Sequence, residues 1–264
     1  MKEVTLTLRK PPVLSLEAEN ISPDVFAGKS VEEIKELPVL HGTKERPLKD
    51  FFEVEGTAAE RAEETKIVIK GDLSRVKWIG HGMSAGEIVV KGDTGLYVGA
   101  EMKGGRITVE GNAGDFAGQQ MRGGELLIKG NAGNYLGATY RGDWRGMRGG
   151  TIVVEGSAGS ENGEFMIGGK IHIKGDCGPF IGLHMKKGLI IVDGVISGRA
   201  GAQMIGGTLV INGRVKNMLP SFVLKGEEEN ISINGETFEG RYLKYSGDHA
   251  EPRAKGTIYL KKEA

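Results

Sequence analysis

Residues 103–124 read KGGRITVEGNAGDFAGQQMRGG, and residues 125–142, ELLIKGNAGNYLGATYRG, repeat them almost phrase for phrase. Of the 264 residues, 44 are glycine, far above the usual share of about 7%. Glycine at this level without a Gly-X-Y period means either disorder or a fold that needs tight corners at fixed intervals. The glycines that end each apolar run are Gly71, Gly92, Gly111, Gly130, Gly156, Gly175, Gly194 and Gly213, spaced by 21, 19, 19, 26, 19, 19 and 19 residues. A fixed period near 20 marks a solenoid, whose repeats cannot bury an apolar face alone and must stack.

The unit reads apolar-x-apolar-x-Gly-[Asn/Asp]-x-Gly-x-aromatic-x-Gly-x-x-Met-x-Gly-Gly. Inward positions of its first strand are Ile67/Ile69, Ile88/Val90, Ile107/Val109, Leu126/Ile128, Ile152/Val154, Ile171/Ile173, Ile190/Val192 and Leu209/Ile211. β-Branched residues dominate and no helical spacing survives, so the chain is mainly β. The pattern predicts a right-handed parallel β-helix of about eight coils with a ~19-residue repeat, on the order of 35–40 Å long at ~4.8 Å per coil. Glycine, with Asn and Asp next best, supplies the positive φ that such corners require.

Met83, Met102, Met121, Met147, Met166, Met185 and Met204 each precede by three residues the glycine that closes a coil, and Val223 breaks the column. They are expected to form an internal ladder of flexible gap-fillers rather than a copper site. The aromatic column Tyr97, Phe116, Tyr135 and Phe180 is expected to be internal in the same way. Residues 1–65 carry a strand from Val4 to Leu8 and a short helix with Ser30 as N-cap and Glu32 and Glu33 in its first turn, an α/β segment placed to cap one end. The solenoid is expected over 66–226, and a strand-rich tail, 227–264, to cap the other end or run along the side.

With 35 basic and 35 acidic residues the formal net charge is zero, which argues against a nucleic-acid or membrane-surface protein. The single cysteine, Cys177, excludes an internal disulfide framework, and no run approaches 18 apolar residues; a cytoplasmic protein is expected. The Gly28-Lys-Ser triplet lacks the upstream glycine of a phosphate-binding loop, having Pro23 there. GNAG and GDTG recur without a following helix, unlike a dinucleotide fingerprint. His172, Cys177 and His184 fall on different faces, so no metal site is expected, and no catalytic constellation stands out.

Surface made for contact does stand out. The outward position of each strand is Val68, Val89, Thr108, Leu127, Val153, His172, Ile191 and Val210, a mostly apolar stripe that a partner or the chain's own termini must cover. The 26-residue coil places Arg141, Asp143, Trp144 and Arg145 on a projecting loop, and insertions in solenoids map to the binding face. Lys103, Arg122, Arg148 and Lys186, each following the methionine column, would stack into a basic ridge for an acidic partner or anionic ligand.

The recurring G-x-AG-x-[FY]-x-G-x-x-M-x-GG resembles the glycine-repeat β-helix shared by the C-terminal domain of the glutamate synthase large subunit and by the C subunit of formylmethanofuran dehydrogenase. The flanks, PLKDFFEVEG before the first coil and KYSGDHAEPRAKGTIYL at the end, resemble the latter family. That resemblance implies a non-catalytic scaffold without cofactors of its own, in a complex that reduces CO2 and attaches the formyl group to methanofuran, the first step of methanogenesis. It implies partner subunits holding a tungsten or molybdenum pterin, a metal-dependent amidohydrolase-like site and iron–sulfur clusters. In such a complex the apolar stripe (Val89, Leu127, Val153, Ile191) and the Arg141–Arg145 loop are expected to dock the catalytic subunits, and the basic ridge to attract the glutamyl tail of methanofuran. Related subunits occur in formyltransferase/hydrolase complexes of one-carbon metabolism. A detached glutamate-synthase-type domain and an autonomous β-helix enzyme acting on polysaccharides are the other function classes.

Overall fold

The computed structural model describes residues 1–262. The chain is mainly β, built around one 13-stranded sheet. Ten of its strands lie parallel and side by side: Lys2–Leu8, Thr65–Lys70, Glu87–Lys91, Arg106–Val109, Glu125–Ile128, Thr151–Val154, Ile167–Ile173, Lys187–Val192, Thr208–Ile211 and Gly256–Lys261. Consecutive repeats pair in the register that the glycine spacing dictates, with Ile88 beside Ile107, Leu126 beside Ile152 and Ile190 beside Leu209. All sixteen inward residues are fully or almost fully buried.

Repeats also pair along a second line. Single parallel bridges run Leu73, Thr94, Ala113, Ala132, Ala158, Cys177 and Ile196. These positions are buried and mostly small, because a corner this tight has little room for a side chain. Beside them the polar corner residues link coil to coil. Asp93 Oδ1 accepts from the Asn112 N–H, Asn112 Oδ1 from Asn131, Asn131 Oδ1 from Ser157, Ser157 Oγ from Asp176 and Asp176 Oδ1 from Val195, at 2.7–3.0 Å. The [Asn/Asp] of the repeat therefore does more than tolerate a turn: its side chain satisfies the next coil's backbone donor.

The seven methionines are fully buried, as the spacing predicts. The methyl of each lies 2.6–2.8 Å from where a Cβ on a glycine of the next rung would sit, as Met102 Cε does for Gly124 and Met147 Cε for Gly169. The aromatic column is a correction: Tyr97, Phe116 and Tyr135 do stack, with Phe180 apart from them, but all four rings are half-exposed on the outer wall. The cause is the backbone. Tyr97, Phe116, Tyr135 and Phe180 occupy left-handed φ of 62–66°, which swings the side chain out and leaves the inward place to Val98, Ala117, Leu136 and Ile181.

The ends depart from simple repetition. The strand Lys2–Leu8 joins the parallel stack beside Thr65–Lys70, and Phe52–Gly56 closes that edge antiparallel to it. Ser30 and Glu33 form a capping box on the helix Val31–Lys35. At the other end no apolar strand follows Thr208–Ile211 directly. The chain instead forms a hairpin, Val223–Ile233 with Glu236–Gly247, and returns so that Gly256–Lys261 takes the next parallel place. The hairpin turns at Asn234–Gly235, both at positive φ, the two-residue turn this pair favours. Register shifts near Leu224/Gly226 and Glu229/Ile231 bend it, and Ile231, Phe238 and Tyr242 pack onto Leu189, Ile191 and Val210.

Candidate functional site

The 26-residue coil leaves the wall after Gly137 and returns at Met147, whose N–H donates to the Gly137 carbonyl at 2.9 Å. Between these points the loop turns at Tyr140–Asp143, with the Asp143 N–H donating to the Tyr140 carbonyl and Gly142 at φ 88°. Asp143 organises the rest. Its carboxylate accepts from Gln120 Nε2 at 2.8 Å, from the Trp144 N–H at 2.7 Å and from Arg145 Nε at 3.2 Å. The Arg145 hydrogen bond is the largest cause holding this carboxyl below its ordinary range. Gln119 Nε2 donates to the Thr139 carbonyl at 3.2 Å. Two buried glutamines of the preceding coil thus fasten the loop, and the sequence reading missed them; the Gln-Gln pair where other coils differ was the available signal.

Of the loop residues, Arg141, Trp144 and Arg145 are exposed, Trp144 to 66%. Lys186 Nζ lies 6.0 Å from the Trp144 ring and 5.8 Å from that of Phe165. Arg141 makes no hydrogen bond or ion pair among the described residues, and its charge acts on the phenols of Tyr97 and Tyr135.

The basic ridge is uneven. Lys103 is exposed, Arg122 is paired with Glu101 at 2.8 Å, and Ile167 stands between Arg148 and Lys186 in the column. The buried Nε of Arg148 has no hydrogen-bond partner. The apolar stripe is covered unequally as well. Ile191 and Val210 are sealed by the hairpin, and Val68 and Val89 are buried. Thr108, Leu127 and Val153 are only half-buried and line an open groove with Arg106, Glu125 and Thr151. The next stripe residue, His172, pairs with Asp193 at 2.8 Å; Asp193 accepts from Asn212, which accepts from the Tyr242 hydroxyl at 2.6 Å.

The wall beside the insertion carries the aromatic ladder, which the structure extends to Trp78. Ring centroids of Trp78, Tyr97, Phe116 and Tyr135 are 4.1, 5.0 and 4.6 Å apart, with planes within 16°. Left-handed backbone at a bulky residue costs of order 1–3 kcal/mol and concentrates at functional positions. A cavity of 270 Å³ opens where this ladder meets the loop, lined by Tyr135, Tyr140, Arg141, Glu161, Glu164 and Phe165 among others. Burial, then the charge of Glu161, pushes the Glu164 carboxyl up.

His172, Cys177 and His184 do not meet. Cys177 is a buried gap-filler whose thiol burial pushes up to about 12, and His184 stacks on Phe165 at 4.4 Å. Among the described residues no group of three or more His, Cys, Asp or Glu side chains is placed to hold a metal ion. The described residues do not fit a tungsten or molybdenum centre.

No protein-family model matches the chain. It is 66% identical over 259 residues to the C subunit of the tungsten-containing formylmethanofuran dehydrogenase 2 of Methanothermobacter thermautotrophicus, covering 98% of this chain and 96% of that one. The protein of the same name in Methanococcus maripaludis is 54% identical over the same shares. A molybdenum-containing counterpart from Methanosarcina barkeri aligns at 51% identity, but over 37% of this chain. The fold matches, at TM-score 0.86 and 29% identity over 98% of this chain and all of that one, a chain in the crystal structure of the formyltransferase/hydrolase complex (FhcABCD) of Methylorubrum extorquens with methylofuran. The resemblance in the glycine repeat and its flanks thus extends over nearly the whole length, and the chain belongs to the family of C subunits of formylmethanofuran dehydrogenase, an oxidoreductase complex.

Proposed function

We propose that this chain is a non-catalytic scaffold of a formylmethanofuran dehydrogenase complex. This reading is carried by the full-length identity to the tungsten-containing relative, which favours the dehydrogenase setting over the formyltransferase/hydrolase one, where identity is 29%. We read the stack as a right-handed parallel β-helix of about eight coils, with the first strand of the N-terminal segment and the last strand of the tail as its end rungs. The Arg141–Arg145 loop and the open centre of the stripe, Leu127 and Val153, dock subunits that hold the pterin metal, the amidohydrolase-like site and the iron–sulfur clusters. Two observations support this. Asp143 fixes the loop so that Trp144 projects at little further entropic cost. The open groove sits where the hairpin stops covering the stripe. Of the ridge, Lys103, Arg148 and Lys186 are the members with no carboxylate partner of their own among the described residues, and these face an anionic group.

The test is native purification of the tagged chain from its host, with mass spectrometry and metal analysis. Co-elution with a pterin-type tungsten or molybdenum subunit and an amidohydrolase-like subunit is expected. A lone, metal-free monomer would overturn the assignment.

A further inference from the structure

The outer corner of each coil contributes one residue to a column that runs Trp78, Tyr97, Phe116, Tyr135, Glu161, Phe180 and Arg199. The backbone fixes this register, because each N–H donates to the carbonyl just before the next member: Leu96, Asp115, Asn134, Ser160, Pro179 and Gly198 in turn. All seven sit at φ of 54–66°, so all seven side chains leave the wall in the same way.

Four rings stack without a break and then the ladder stops. At the next rung stands Glu161, and only at the one after does Phe180 resume it, with the Arg199 guanidinium 5.1 Å over its ring. Arg199 takes the far face of Phe180; the near face looks back toward Tyr135. Two rungs of strand spacing separate these ring faces, about 10 Å in all. That interval holds one planar group sandwiched between two rings, as each ring of the ladder is held by its neighbours.

The charges at the missing rung are unbalanced. Tyr135 Oη is 3.4 Å from Glu161 Oε1. Neither Glu161 nor Glu164 has an ion pair among the described residues. Both line the cavity under the insertion, near enough that the charge of Glu161 acts on the Glu164 carboxyl. An aromatic face beside an unpaired carboxylate selects a planar cation over a compact, strongly hydrated ammonium. The chain shows the same preference one rung on, where Arg199 covers Phe180.

We propose that the gap in the ladder is a slot for an arginine side chain of a partner subunit, its guanidinium lying between Tyr135 and Phe180 and pairing with Glu161 and Glu164. The proposal rests on the scaffold reading and specifies what enters beneath the Arg141–Arg145 loop. Arg141 lines the same cavity and is the internal competitor for the slot.

The test uses the complex purified through a tag on this chain, comparing wild type with the double variant Glu161→Gln/Glu164→Gln. Glutamine keeps the shape, and circular dichroism with a thermal melt verifies that the free chain folds. Loss of the two carboxylate charges is expected to speed partner release by about tenfold or more. Agmatine, which carries a guanidinium, is expected to speed release from the wild-type complex, while putrescine at the same concentration does not. Release at the wild-type rate by a folded double variant would overturn the slot and leave the scaffold reading standing. A wild-type chain that retains no partner would overturn both. If Arg141→Gln abolished the difference between wild type and the double variant, the slot would be filled by this chain's own Arg141 and the partner arginine refuted.

Discussion

The contact between each methionine and the glycine of the next coil yields a quantitative test at residues 185 and 207. Gly207 has φ 82°, and a Cβ there would meet Met185 Cε at 2.7 Å, Sδ at 3.0 Å and Cγ at 3.1 Å. Gly207→Ala should lose about 1–2 kcal/mol to left-handed strain and a further ~1–3 kcal/mol to overpacking against Met185. Met185→Ala, at a fully buried site, should cost about 2–5 kcal/mol through the cavity it leaves. In the double variant the new methyl enters part of that cavity and the overpacking disappears. The pair should therefore be less destabilising than the sum of the singles by about 1–3 kcal/mol, within the range for directly touching residues. Gly150 with Met121 is the control. A Cβ on Gly150 would meet the Gly124 carbonyl oxygen at 2.7 Å and Gly123 C at 2.8 Å as well as Met121 Cε at 2.8 Å. Removing Met121 leaves the backbone collision in place, so coupling there should be less than half as large. Guanidinium chloride unfolding followed by far-UV circular dichroism measures both cycles. Additivity within ~0.5 kcal/mol at 185/207, or equal coupling in both pairs, would refute the ladder argument.

Cys177 should react with a thiol reagent at pH 8 only after denaturation, since burial holds its thiol up to about 12; prompt labelling of the folded chain would contradict its place in the wall. Glu164→Gln should stabilise the free chain at neutral pH. Burial and then Glu161 raise the folded-state carboxyl above its unfolded value, so ionisation penalises folding as pH rises through the unfolded value and is fully felt above the folded one. The gain should vanish in melts below about pH 4, where the unfolded carboxyl is also protonated. Tyr242→Phe should cost about 1–2 kcal/mol by orphaning Asn212 Oδ1, and limited proteolysis should then cut first in the Val223–Gly247 hairpin.

The period, the inward strand residues and the methionine column were legible because each is a local rule repeated: one apolar alternation and one corner spacing, copied from coil to coil. The side of the wall on which the aromatics lie was not legible, since a left-handed φ at a non-glycine residue inverts the direction expected from alternation. The final rung was hidden for a different reason. The spacing of Val223 and Gly226 imitates the repeat, but Glu227, Glu228 and Glu229 offer nothing to bury, and the stack is continued by Ile258 and Leu260, almost 50 residues downstream of their partners Leu209 and Ile211. The insertion was visible as a length anomaly, and Trp144 and Arg145 as contact residues. Glu161 and Glu164 were invisible as a pair, because only the stacking of coils shows that one replaces a ring and that both line one cavity.

The relay of corner side chains from Asp93 through Asn112, Asn131 and Ser157 to Asp176 gives the molecule a metric. Each link after Asp93 accepts from the coil after it and donates its own N–H to the coil before it, so a whole coil between them can be removed or copied with both neighbours still supplied. The length of the wall is therefore graduated in steps of one strand spacing, ~4.8 Å, like a ruler. Deleting 106–124, one complete repeat ahead of the insertion, should leave a folded chain in which Trp144 stands one graduation closer to the N-terminal edge. Any enzyme surface held at both places would feel that change as a fixed error of distance, not as a loss of affinity at either one.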